Sequence, residues 1–177
     1  MSDTHAFERS HDILITAPAA NVLDYVCNPN SWPEWLAASH KIDSPDRPLR
    51  KGDTFSENWH TRSGPAVLDW LVTECEPPHV WIGETSTDFI GTIIVRYDVA
   101  EAEEGQVRFT RTMINPARPK PPTDDQIARM DAEAEVAEQW LDERRLEGGG
   151  RQEVDEGEMW DKMVGVRFGP SFRWLRN

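Results

Sequence analysis

The chain of 177 residues lacks the features that mark secreted and membrane proteins. It contains two cysteines, Cys27 and Cys75, which are too few for a disulfide framework and are typical of a reducing compartment. No apolar run approaches the length of a membrane span, and the first residues have no apolar segment of the kind found in secretory signals. We therefore expect a cytoplasmic protein that does not enter a membrane.

Motifs for metal, nucleotide and nucleophilic chemistry are also missing. The five histidines do not have the spacing of metal ligands, and no HExxH, CxxC, GxGxxG, phosphate-loop or GxSxG motif occurs. We therefore expect neither a metal nor a cofactor. The formal net charge is −13, which disfavours nucleic acid and anionic membrane surfaces as partners because both attract positive protein surfaces.

The residues that are present can form one core. The hydrophobic share is 38%, and it includes eight Trp and six Phe, so we expect one domain with an extension. The domain is predicted over residues 9–147. The extension, 148–177, begins with three glycines, continues with an acidic segment and ends in aromatic and basic residues.

Short alternating segments separated by turn residues predict an antiparallel sheet of the meander type. The predicted strands are 12–16, 40–44, 53–61, 66–74, 80–85, 89–99 and 106–113. Two short helices are predicted at 18–27 and 31–38, after the first strand, and 115–122 is predicted to be a stiff, proline-rich connection.

A long helix is predicted to begin at Thr123 and to end near residue 148. Thr123 and Gln126 have the spacing of a capping box. The apolar residues repeat at steps of three and four and form one stripe, which comprises Ile127, Met130, Ala134, Ala137 and Leu141. The acidic residues of this segment, including Asp131, Glu133 and Glu138, fall off that stripe.

Taken in order, these segments resemble the START-like (SRPBCC) superfamily, which includes the polyketide cyclase/dehydrase and lipid-transport families. The resemblance rests on the first strand, the Ala-Pro-Ala at 17–19 and the Trp-rich second helix. It continues with the LRKG at 49–52, the EPP at 76–78, Tyr97, Gly105 and the long helix. Gln106, where many members carry Thr, and the extension depart from the family pattern. The resemblance implies an α+β helix-grip fold, in which a curved antiparallel sheet wraps around a long C-terminal helix and encloses a cavity.

Alternation along the strands then indicates which side chains face that cavity. The expected ligand-binding residues are Trp32, Trp35, Phe55, Trp59, Trp70, Ile93, Tyr97, Phe109, Met130 and Ala134. Glu57, Glu84 and Arg111 are polar groups on otherwise apolar faces, and they are the candidate catalytic residues. Glu57 or Glu84 would exchange a proton with the ligand, Arg111 would hold a carboxylate or enolate, and Tyr97 would donate a hydrogen bond.

Structural alternatives apply to the same residues. A register shift of one residue would place these groups in water. Glu57 or Glu84 could pair with Arg111 simply to satisfy the cavity wall, and Tyr97 could be a core tyrosine. Trp32 and Trp35 could form a gate over the cavity or could only pack.

Three functions remain open at this point. The first is binding of a hydrophobic or aromatic small molecule in the cavity. The second is a cofactor-independent enzyme of the polyketide cyclase, aromatase or dehydratase type that uses the cavity carboxylates and Arg111. The third is a protein-partner module of the co-chaperone or stress-response type. The sequence leaves open the ligand and whether the chain forms a homodimer.

Overall fold

The computed structural model describes residues 4–36, 39, 41–61, 64–103 and 105–143, which are organised on one seven-stranded antiparallel sheet. The strands are β1 (His5–Ile15), β2 (Lys41–Asp43), β3 (Thr54–Thr61), β4 (Gly64–Glu76), β5 (Val80–Thr87), β6 (Gly91–Glu101) and β7 (Val107–Arg118). Their order in the sheet is β1-β7-β6-β5-β4-β3-β2, so the first strand pairs with the last and the others follow in sequence. This is the predicted α+β helix-grip fold, with the long helix α3 (Asp124–Glu143) against one face.

The two strands at the β1 edge are longer than predicted. β1 begins at His5 rather than at residue 12, and β7 continues to Arg118 through the segment predicted as a proline-rich connection. The reason is that the two strands pair with each other over nearly their whole length. Pro116 fits into β7 because it lies in a bulge, where its missing N–H interrupts no ladder bond.

Two short helices follow β1, as predicted. Helix α1 (Ala19–Val26) begins after Pro18, and a single 3₁₀ turn (Pro29–Ser31) leads directly into α2 (Trp32–Trp35). Helix α2 ends at Trp35 and is thus shorter than the predicted 31–38. Residues 37 and 38 lie outside the described residues, as does the extension at 148–177.

Helix α3 begins with the predicted capping box. The backbone N–H of Thr123 donates to Gln126 Oε1 at 2.9 Å, and the backbone N–H of Gln126 donates to Thr123 Oγ1 at 3.3 Å. The helix is fixed to β1 by Asp131, which accepts from Arg9 at 2.8 and 2.5 Å and lies 2.9 Å from His11 Nε2. These pairs hold the helix over the open side of the sheet.

The core is a cluster of aromatic rings centred on Trp32. Its ring meets Phe55, Trp70 and Trp81 edge to face, with centroids 5.2, 5.8 and 6.0 Å away. Trp81 stacks on Tyr97 with centroids 5.2 Å apart. Such pairs contribute about 0.5–1.5 kcal/mol each beyond the area they bury, so this cluster fixes α2 firmly on the concave face of the sheet.

Candidate functional site

A cavity of about 350 Å³ lies between α3, α2 and the concave face of the sheet. This volume is near the lower end of the range for small-molecule sites, about 300–1,000 Å³. Nine of the ten expected ligand-binding residues line it: Trp32, Trp35, Trp59, Trp70, Ile93, Tyr97, Phe109, Met130 and Ala134. Among these nine residues, the aromatic rings and Ile93 come from α2 and the sheet, and Met130 and Ala134 come from α3.

Phe55 is the expected ligand-binding residue that does not line the cavity. Its ring stacks parallel to Trp70 at 5.9 Å and packs against Trp32, so it supports the wall from behind. The prediction of the inward face was right for Phe55, which is buried, but alternation gives the face and not the depth. Its assignment to the ligand surface is corrected here.

Trp32 and Trp35 are buried in the wall and do not form an exposed gate. Each is less than 5% exposed, and each indole N–H is satisfied locally. Trp32 Nε1 donates to the Val26 carbonyl oxygen at 2.9 Å, and Trp35 Nε1 donates to Ser31 Oγ at 3.2 Å. These bonds fix both rings, which favours the packing alternative.

Glu57 is a buried carboxyl group on the cavity wall. It is 3% exposed, and Trp70 Nε1 donates to its Oε2 at 3.0 Å. The Ser39 hydroxyl and the Trp59 indole N–H approach the same carboxyl without completing a hydrogen bond. Burial raises the pKa of Glu57, while these neighbours and the charge of Arg111 oppose the rise. A carboxyl group whose pKa is raised by burial is a candidate to exchange a proton with a ligand.

Arg111 and Tyr97 are neighbours across β7 and β6, and both face the cavity. Tyr97 is fully buried, and burial raises the pKa of its phenol. Within the described part of the chain, the Arg111 guanidinium approaches the Tyr97 hydroxyl, but neither that hydroxyl nor Arg111 Nε completes a hydrogen bond. Buried polar atoms of this kind usually have one, so these two donors are available to a polar group of a ligand.

Glu133 was missed by the sequence analysis, which placed it off the apolar stripe of α3. The structure places it on the cavity wall, where burial raises its pKa and the charges of Arg111 and Arg129 oppose that rise. The stripe of a helix is wider than the row of its most apolar residues. Glu133 lies between Met130 and Ala134 in sequence, so a wider apolar stripe would have included it.

The prediction that Glu84 faces the cavity is wrong, because Glu84 is not among the residues that line it. On β5 the residues that face inward are Trp81, Gly83 and Thr85, and Glu84 lies on the other face. The two alternating sets on this strand are Val80, Ile82 and Glu84 on one face and Trp81, Gly83 and Thr85 on the other. Each set contains one polar residue, so composition alone does not indicate which face is buried. The buried set is fixed by the Trp81 indole, which folds over Gly83, and by Thr85 Oγ1, which donates to the Asp69 carbonyl oxygen at 2.7 Å.

Several polar groups face the cavity beside its apolar residues. Three carboxyl groups with raised pKa values, Glu57, Glu133 and Glu138, share the cavity with the donors of Arg111 and Tyr97. Such a set can bind a carbonyl or hydroxyl group, and it can also move a proton. Among the described residues, no helix is long and apolar enough to cross a membrane, and no three His, Cys, Asp or Glu side chains are placed as metal ligands would be.

Comparison with known proteins points to one family. The family model described as polyketide cyclase/dehydrase and lipid transport matches residues 5–143. No curated protein matches the chain. Among solved structures, an aromatase/cyclase from a Streptomyces species has a TM-score of 0.60 at 12% identity, covering 84% of this chain and 100% of its own.

Two further solved structures have similar scores. A START superfamily protein from Mycobacterium smegmatis has a TM-score of 0.59 at 12% identity, over 78% of this chain and 96% of its own. The Aha1 dimer from Colwellia psychrerythraea has a TM-score of 0.57 at 16% identity, over 81% of this chain and 99% of its own. At these identities the similarities show the shared fold alone.

Proposed function

Because the chain belongs to the polyketide cyclase/dehydrase and lipid-transport family of START-like proteins, we propose that it encloses an apolar, partly aromatic small molecule beneath α3. The observation that carries this proposal is the 350 Å³ cavity with its wall of Trp, Tyr and Phe rings. An aromatic wall provides a large contact area for a flat molecule at little cost in side-chain entropy. The polar groups on that wall would orient the molecule.

Filling the cavity tests this proposal. Ala134→Leu adds three carbon atoms to the side of the cavity that α3 forms, whereas Ala128→Leu makes the same change at an exposed position of the same helix. Naphthamide, an uncharged two-ring molecule, is the probe, and quenching of tryptophan fluorescence reports its binding. We expect Ala134→Leu to weaken binding about tenfold or more, in keeping with the cost of overpacking, and Ala128→Leu to leave it unchanged. Equal affinity in all three proteins would contradict the proposal.

A second candidate function is proton transfer at a carbon next to a carbonyl group. It is favoured by the raised pKa of the buried Glu57 and by the available donors of Arg111 and Tyr97. The Glu57 carboxylate would remove the proton from carbon, and the electron pair of that bond would form an enolate. Arg111 and Tyr97 would hold the enolate oxygen, and Glu57 would then return the proton to carbon.

Deuterium exchange tests the second function without knowledge of the natural substrate. Acetonaphthone, an aromatic methyl ketone, is incubated in heavy water, and loss of its methyl protons is followed by NMR. We expect the chain to accelerate this exchange, Glu57→Gln to abolish the acceleration, and Glu84→Gln to retain it. An equal loss in both variants, or no acceleration at all, would refute the assignment of Glu57 as the base.

The protein-partner alternative receives less support. A protein-binding surface would need exposed apolar side chains, and only four large ones, Leu14, Val67, Leu71 and Phe89, are exposed among the described residues. The similarity to the Aha1 dimer shows the fold only. Homodimer formation, a cytoplasmic location and the domain boundary at residue 147 stay predictions.

A further inference from the structure

Arg118 faces the cavity because β7 has a bulge near its end. Phe7 pairs with Asn115 and His5 pairs with Arg118, so two residues of β7 stand opposite one residue of β1. Strict alternation from Asn115 would turn Ala117 inward. The bulge turns the next residue inward instead, because it adds one residue to one strand. Ala117 is exposed, whereas Arg118 is only 9% exposed and lines the cavity.

The Arg118 guanidinium is held in place by three groups. Its Nε donates to the Lys120 carbonyl oxygen at 3.2 Å, and its Nη1 donates to Asn115 Oδ1 at 3.4 Å. The Phe7 ring lies 5.7 Å from its Cζ atom. Asn115 is fully buried and is itself fixed, because its Nδ2 donates to the Thr92 carbonyl oxygen at 3.0 Å. The position of this arginine is therefore built into the sheet.

The charge of Arg118 has no carboxylate partner in the described part of the chain. Among the other arginines that line the cavity, Arg9 forms an ion pair with Asp131, and the charges of Arg111 and Arg129 both lower the pKa of the nearby Glu133 carboxyl group. Burial lowers the pKa of Arg118, and no charged neighbour is found to oppose this effect. A guanidinium that is removed from water without an anion carries a free-energy cost. Its Nη2 group also forms no hydrogen bond to a described residue, so donors remain for a ligand.

We propose that Arg118 binds a carboxylate group of the molecule in the cavity. This inference rests on the proposed function, and it specifies the ligand as an aromatic or otherwise apolar acid. The planar guanidinium fits a carboxylate with two parallel hydrogen bonds, which makes Arg suited to this recognition. The apolar body of the ligand would lie against the aromatic wall, and its acid group would lie at the end of β7. The chain is strongly acidic as a whole, so this buried cation is a local feature that favours an anion.

A pair of probes with the same body separates the acid group from the rest of the ligand. Naphthoate and its neutral amide, naphthamide, are titrated into the full chain, and tryptophan fluorescence reports both affinities. Naphthyl phosphate is the third probe and distinguishes a carboxylate site from a general anion site. The variant is Arg118→Gln, and the control is Arg108→Gln, which removes an exposed arginine from the same strand where it pairs with Asp12.

We expect the unmodified chain to bind naphthoate about tenfold or more tightly than naphthamide, as charge-assisted hydrogen bonds allow. Arg118→Gln should reduce the ratio of the naphthoate affinity to the naphthamide affinity to about one, while Arg108→Gln should retain the ratio of the unmodified chain. Equal binding of acid and amide by the unmodified chain would overturn the inference and leave the proposed function standing. So would an unchanged preference in Arg118→Gln, or tighter binding of naphthyl phosphate than of naphthoate. If the unmodified chain binds neither naphthoate nor naphthamide, the proposed function and this inference are both overturned.

Discussion

Trp70→Phe is expected to destabilise the protein by an amount that depends on pH. The indole N–H of Trp70 donates to Glu57 at 3.0 Å, and both side chains are buried. Phenylalanine keeps a ring against Phe55, with which Trp70 stacks at an interplanar angle of 3°. It removes the donor, however, and leaves the carboxyl of Glu57 with less stabilisation of its ionised form.

The magnitude follows from two contributions. A hydrogen bond to a charged group contributes about 1.5–3 kcal/mol to the free energy of unfolding. The smaller ring also loses buried contact, which costs about 1–2 kcal/mol and does not depend on pH. We therefore expect a loss of about 2.5–5 kcal/mol at pH values where Glu57 is ionised in the folded state, and of about 1–2 kcal/mol where it is protonated.

The direction of the pH dependence follows from the pKa of Glu57. Burial raises it above its ordinary value of 4.5, so the folded state binds this proton more tightly than the unfolded state. The contribution of Glu57 to stability is therefore fully present below the unfolded pKa and is lost as the pH rises through the folded pKa. Because the Trp70 N–H lowers that pKa, its removal raises the folded pKa further and extends the loss to higher pH.

Urea unfolding at about pH 4 and about pH 7.5 measures the difference between Trp70→Phe and the unmodified chain, in which titrations common to both proteins cancel. The same pair is measured in a Glu57→Gln background as the control, since glutamine does not ionise. The reasoning is refuted if the difference is the same at both pH values, or if its pH dependence survives in the Glu57→Gln background.

Two further predictions concern the packing of the cavity wall and its cover. Gly83→Ala should destabilise the fold by about 1–2 kcal/mol, since a Cβ atom there would lie 2.6 Å from the Trp81 ring. Chemical denaturation measures this loss, and most of it should disappear in a Trp81→Leu background. An equal loss in both backgrounds would contradict the prediction. Asp131→Asn should increase amide hydrogen exchange in α3 at neutral pH. Hydrogen bonds from Arg9 and His11 hold the pKa of Asp131 at about 2, so in the unmodified chain the ion pair is lost only as the pH falls toward that value. The exposed Asp142→Asn is its control, and equal exchange in both variants would refute the role of this clamp.

The fold was largely predictable because its signals are local. Alternating strands, turn residues, a capping box and two short helices are each encoded within a few residues, and their order resembled one superfamily. The pairing of β1 with β7 was harder to predict, because it joins segments at opposite ends of the domain. The proline-rich composition of 115–122 suggested a connection, but the partner strand and the bulge allow Asn115 and Arg118 to belong to a sheet.

The site was predicted where alternation was unambiguous. Glu57 and Arg111 stand among large apolar neighbours on their strands, so the inward face was clear, and the structure brings both to the cavity. On β5 the two faces have similar composition, and the choice of Glu84 was wrong because the fit of Trp81 over the following glycine decides the face. Arg118 could not be predicted from alternation, because a bulge changes the face by one residue.

The central claim is that a small molecule binds inside the domain, between α3 and the sheet. The most direct test is NMR of the full chain with labelled methionine methyl groups in the presence of bound naphthamide. Met113 on β7 and Met130 on α3 line the cavity from opposite sides. The chain has five methionines, so Met113→Leu and Met130→Leu are used to assign the signals of these two. The account predicts nuclear Overhauser effects from the naphthamide protons to both methyl groups. A bound probe that produces them to neither methyl group would contradict the account.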